Sequence, residues 1–120
     1  MRCVLFLTCL ASSSFAIELH VATTGEAAAR GSVESPFASL TQAREEVRRL
    51  RKGGSLRGTL SVVIHGGTYE MDQVLQLEPQ DGDVIYKAGQ GENPVFLGAK
   101  KVEGFTEHEG GILKADVSKL

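Results

Sequence analysis

The sequence predicts a mostly β fold with one helix, its strands stacked coil on coil as a solenoid. Three observations point there. Between Thr59 and Tyr69, Leu60, Val62 and Ile64 alternate with Ser61, Val63 and His65, the period of a strand with one face in a core; Gly66-Gly67 ends it. The pattern then echoes. Val84, Tyr86 and Ala88 lie 22 positions after Val62, Ile64 and Gly66, and Val95 and Leu97 lie 20 positions after Leu75 and Leu77. Near-constant spacing marks repeats that stack, because one coil cannot bury its own apolar face. Finally, helical spacing is confined to one segment: Phe37, Leu40, Ala43, Val47 and Leu50 form a single apolar stripe.

Taken in order, the chain opens with a secretory signal over residues 1–16. Arg2 supplies the positive start and Cys3–Ala11 a short apolar run. Ser14 and Ala16 are the small residues before a cleavage point. The rival, a lipoprotein signal at Cys9, lacks the small residue just before the cysteine. The expected location is secreted or periplasmic. Both cysteines fall in the signal, so no disulfide is expected in residues 17–120.

Ile17–Thr23 alternates as a first strand, and Thr24–Ser35 reads as a loop. The helix Ser39–Lys52 starts with a capping box, Ser39 and Gln42, and pairs Glu45 with Arg49. Arg51 and Lys52 suit the negative end of its dipole, and Gly53 supplies the stop. Residues 53–58 form a link. Strands are expected at Val74–Leu77, Val84–Ala88 and Pro94–Leu97, with a weaker one around Val102. A turn at Glu107–Gly111 leads to a last strand at Ile112–Ala115.

Composition bounds the function. The 120 residues are 42% hydrophobic and 23% charged, enough for one small globular domain, and 14 glycines favour many turns. Net charge is −2, which offers no basic footprint for nucleic acid. The arginines of the helix alternate with glutamates, the pattern of a solvated face. After the signal no apolar run is long enough to span a membrane.

Several of these stretches resemble a known family. Pro36-Phe37-Ala38-Ser39-Leu40 with Ala43-Arg44 is similar to the "PFxSLxxAR" helix of secreted bacterial right-handed parallel β-helix (pectin-lyase-like) proteins. His65-Gly66-Gly67-Thr68-Tyr69 resembles that family's "GGxY" strand end. Tyr86-Lys87-Ala88, then Gly91-Glu92-Asn93-Pro94-Val95 and Gly98, resembles its "YxA…GExPV…G" segment, and Phe105 with Ile112–Asp116 fits the stretch beyond. The resemblance implies that residues 17–120 are an N-terminal cap and first coils of a parallel β-helix, expected to be incomplete. It implies polysaccharide as the partner class and glycoside hydrolases or lyases as relatives. The family's active-site acids lie in later coils, so activity does not carry over.

Glycoside hydrolysis needs two carboxyl groups about 5–10 Å apart; Glu70, Asp72, Asp81, Asp83 and Glu92 are the candidates. Asp81-Gly82-Asp83 reads first as a turn, ahead of calcium or catalysis, and Glu92 likewise. His65, opposite Val62 and Ile64, lacks an evident partner for base chemistry. His20 and His108 have no metal spacing, although Glu107 and Glu109 flank His108. Arg44 is expected to hold loop or strand carbonyls under the cap, and Tyr69 and Tyr86 to be core or rim aromatics. No catalytic residue, metal set or cofactor is assigned. Three readings follow: a segment of a carbohydrate-active β-helix enzyme, inactive alone; a non-catalytic surface or carbohydrate-binding scaffold; or a truncated reading frame. Self-association through an open coil end is also expected.

Overall fold

The computed structural model describes residues 16–54, 56 and 59–118, so the signal reading lies outside the described residues except for Ala16. In order, the elements are β1 (Ile17–Glu26), α1 (Leu40–Lys52), β2 (Leu60–Ile64), β3 (Gly67–Glu70), β4 (Val84–Ala88), β5 (Pro94–Leu97), β6 (Thr106–Glu107) and β7 (Leu113–Lys114). The fold is mostly β with one helix, built from small sheets of parallel strands. Strands β1, β2 and β4 form one parallel sheet, β3 and β5 a second, and β6 pairs antiparallel with β7.

Register explains the core. Leu19 sits beside Val62 and Val62 beside Tyr86; Val21 sits beside Ile64 and Ile64 beside Ala88. Every second residue of each strand therefore joins one apolar rung. Leu19, Val21, Leu60, Val62, Ile64 and Tyr69 are buried together with Phe37, Leu40, Ala43 and Val47 of the helical segment. The helix is set by its cap. Ser39 Oγ accepts from Gln42 N–H, and the Gln42 side chain accepts from Ser39 N–H, which completes the expected capping box.

Several expectations are corrected. Val62 pairs with Tyr86, not Val84, so the echo is 24 positions rather than 22. The error is even, and side-chain period is two, so the faces stay as expected. The 20-residue echo fails because Val74–Leu77 is not a strand, and Val95 and Leu97 pair with Thr68 and Glu70 instead. Carbonyls in and after that segment go to helix arginines rather than to a neighbouring strand: Arg44 takes Gln76, and Arg51 takes Gln80 and Gly82. β2 is buried on both faces, not one, with Ser61 and Val63 also covered. β1 runs three residues further than expected, to Glu26, because Phe37 bridges both Val21 and Glu26. A Cβ on Gly25 would lie 2.3 Å from the Phe37 backbone, so this close approach needs glycine.

Four local readings also change. His65 lies in the turn between β2 and β3, where Gly67 has a positive φ of 140°. Gly53 caps the end of α1 as expected, and the left-handed residue follows it at Gly54. Arg49 pairs with Glu46, one residue nearer, while Glu45 takes Arg44 and Arg48. No strand forms at Val102, and the last strand shrinks to Leu113–Lys114.

Candidate functional site

The parallel register brings together three side chains that are far apart in sequence. Leu19 and Val21 of β1 point into the core, so His20 points to the opposite face. Val62 and Ile64 do the same for His65 just beyond β2. Because Val21 lies beside Ile64, the two imidazoles meet on that face. His20 Nδ1 is 3.1 Å from His65 Nε2, with ring planes 20° from parallel. The turn between β4 and β5 then folds Glu92 onto His65. Its carboxylate oxygens both lie 3.1 Å from His65 Nδ1, and one accepts the Gly66 N–H at 2.5 Å.

Gly89 makes that fold possible. Its amide donates to the Ile64 carbonyl, and a Cβ there would sit 2.8 Å from the Glu92 carboxyl carbon. The His65 hydrogen bond and then the Gly66 N–H hold the Glu92 carboxyl below the usual carboxylate range. Beside the cluster is an open cleft of about 410 Å³, lined by Thr23, Thr24, Val33, Pro36, His65 and Glu92.

A carboxylate accepts hydrogen bonds only, so His65 donates through Nδ1 and offers a lone pair at Nε2. His20 therefore donates through Nδ1. The chain Glu92–His65–His20 thus has fixed tautomers and ties the β4–β5 turn to the β2–β3 turn and to β1. Missing from the sequence reading was a partner for His65. The signal was present, since both histidines alternate against core residues, but their meeting needs the β1–β2 register, which no repeat spacing supplied.

The other candidates are placed as follows. Asp81 is buried, its side chain 1% exposed, and Arg48 grips it in a fork at 2.5 and 2.6 Å. Arg48 foremost, with help from the Glu78 N–H, holds its carboxyl far below the usual range; in turn Asp81 raises the Arg48 guanidinium. Asp81 is therefore a structural acid rather than a free one. Asp83 occupies a turn position with φ of 50°. Glu70 and Asp72 are exposed beside the start of α1, in a second open pocket with Met71 and Thr41.

His108, Glu107 and Glu109 are exposed, and no group of three metal-ligating side chains occurs among the described residues. Arg44 donates to the Gln76 carbonyl, the loop-holding role expected of it. Tyr69 is a core aromatic: its ring stacks on Phe96, its hydroxyl donates to the His65 carbonyl at 2.7 Å, and burial pushes its phenol up. Tyr86 lies on the core rung of Leu19 and Val62, and its hydroxyl is buried.

No family model and no curated protein matches the chain at a significant level. Among solved structures, a chain described as a glycoside hydrolase is similar with a TM-score of 0.71 and 25% identity, over 78% of this chain and 17% of that one. The structure of XylC in complex with xylose is similar with a TM-score of 0.53 and 24% identity, over 78% of this chain and 14% of that one; at this identity the likeness is one of fold. The chain thus spans under a fifth of the length of the proteins it matches. The likeness to the glycoside hydrolase supports a carbohydrate-active relationship.

Proposed function

We propose that this chain is the capped N-terminal end of an exported right-handed parallel β-helix protein related to polysaccharide-degrading enzymes. Residues 1–16 serve as the export signal, α1 as the cap, and β1–β5 as the first coils. One observation carries the reading. Three strands separated by long connections stack in parallel on common rungs, Leu19–Val62–Tyr86 above all, with the apolar stripe of α1 in the same core. The likeness to a much longer glycoside hydrolase supports the same assignment.

Within this reading the chain does not itself cleave polysaccharide. Its best-placed acids are already engaged, Asp81 by Arg48 and Glu92 by His65 and the Gly66 amide. That engagement also favours a second reading, a non-catalytic carbohydrate-binding scaffold. The outer edges of β4 and β5 have no partner strand among the described residues, and Val95, Phe96 and Leu97 are half exposed there. Such an edge favours self-association, readable as concentration-dependent mass in light scattering.

The test is an assay of the purified, secreted chain on a panel of xylans and pectins. Reducing-end and unsaturated-uronate readouts are paired with retardation in polysaccharide-containing gels. The expected result is a product beginning at Ile17, no turnover, and retardation by at least one polysaccharide if the scaffold reading holds. Turnover that disappears in Asp81→Asn or Glu92→Gln would overturn the non-catalytic reading.

A further inference from the structure

We propose that the Glu92–His65–His20 chain is an acid-released clasp that fastens the β4–β5 turn to β1 and the β2–β3 turn. The proposal goes beyond the assignment to a carbohydrate-active fold and stands on the local geometry alone. The clasp links one residue from each of three successive coils, at positions 20, 65 and 92, through hydrogen bonds of 3.1 Å. His20 is 9% exposed and the His65 and Glu92 side chains are about a third exposed. Protons therefore reach the outer end of the chain while its inner end is held in the fold.

Counting protons gives the direction. With both imidazoles neutral, their protons sit on Nδ1 against a charged Glu92. One further proton fits without breaking any bond of the chain: on His20 Nε2, or on His65 Nε2, which then donates to His20 Nδ1 while His65 Nδ1–H stays on Glu92. Glu92 is the carboxylate that faces His65, and Glu18 on the same strand and Glu34 on the following loop are the acids near His20. Lys87 of β4 is the opposing cation on this face, but it is bound to Glu18 at 2.8 Å.

A second proton leaves both imidazoles charged. It removes the acceptor of the hydrogen bond between them and sets two imidazolium ions nitrogen to nitrogen. Protonating Glu92 breaks the other end. An unfolded chain has no such restriction, and both imidazoles accept protons near the free value of about 6.5. The unfolded state then binds one proton more than the clasped state, so stability rises with pH and falls on acidification. One proton of difference is roughly a tenfold loss in the folding equilibrium constant per pH unit.

The experiment compares the full chain with His65→Gln in denaturant melts at pH 7.5, 6.0 and 5.0. In parallel, ¹⁵N-imidazole NMR of the unaltered chain uses exposed His108 as an internal reference. The expected result is that the unaltered chain loses up to about tenfold more per pH unit than His65→Gln below pH 6. The Gly66, Gly89 and Glu92 amide signals should move together with uptake of the second proton by the histidine pair. Parallel pH profiles for the two proteins would overturn the clasp. So would His20 and His65 titrating like His108 with no movement of those amides. Should His65→Gln fail to fold, the NMR titration decides by itself.

Discussion

Tyr86 and Tyr69 invite the same substitution and should answer with opposite signs. Tyr86 stands on the rung of Leu19 and Val62, and its Oη is closed off from solvent with no hydrogen-bond partner among the described residues. The surroundings explain why. Asp81, Arg44, Arg48 and Arg51 are near enough to act on the phenol electrostatically, yet each already has a partner. A buried hydroxyl without a partner costs about 1–3 kcal/mol of desolvation. Tyr86→Phe removes that cost and keeps the ring, so the chain should gain up to that amount. In a domain of this size each kcal/mol moves the melting temperature by roughly 4–8 °C. Tyr69→Phe does the reverse. It deletes a 2.7 Å bond to the His65 carbonyl and leaves the Val21 carbonyl, 3.3 Å away, facing a ring edge. The expected loss is about 1–3 kcal/mol. Urea melts followed by circular dichroism on both variants check the pair. Should Tyr86→Phe destabilise as much as Tyr69→Phe, the Tyr86 hydroxyl has a partner and the reasoning fails.

Two further outcomes follow from the packing. Val47 is 1% exposed on the buried stripe of α1, and Val47→Ala removes two carbons there; a loss of roughly 1.5–3 kcal/mol in the same melts is expected, and a change within about 0.5 kcal/mol would show an undocked helix. Asp81 contributes stability that is full above the unfolded carboxylate value of about 3.9 and is lost as pH falls through its much lower folded value. Asp81→Asn should therefore be less stable than the unaltered chain at pH 7, with the gap narrowing by pH 3; a gap that widens on acidification would contradict the sign.

How much of this was legible in the sequence depends on whether the signal was local. The capping box of Ser39 and Gln42, the stripe Leu40–Ala43–Val47 and the strand Pro94–Leu97 are local patterns, and all three appear as expected. Faces were legible as well, because alternation fixes parity whatever the register. The pairing of Val62 with Tyr86 was not, since the turn length between strands sets it and turn residues carry no apolar period. Val74–Leu77 misled for a related reason. Its alternation is that of a strand, but Val74 is 90% exposed and the segment has no strand to pair with. The histidine–glutamate cluster was hidden because it depends on two registers at once.

The arrangement of polar groups shows how the parallel strands are kept in register. Apolar rungs alone tolerate slippage by two residues, because a shift of two returns every side chain to its own face. Directional contacts do not tolerate it. On one side of the stack, Arg44, Arg48 and Arg51, spaced along one face of α1, hold Gln76, Asp81 and Gly82 at fixed distances along the connection that precedes β4. On another, Glu92 reaches His65 and the Gly66 amide from the turn that follows β4. Strand β4 is thus pinned at both ends by charge-assisted hydrogen bonds, while its own inward residues supply only shape. A two-residue slip would bury the Asp81 carboxylate without its arginine and withdraw Glu92 from His65 together, a loss that no gain on the apolar rungs offsets. The register that spacing left ambiguous is therefore selected by the same residues that first looked like free acids for catalysis.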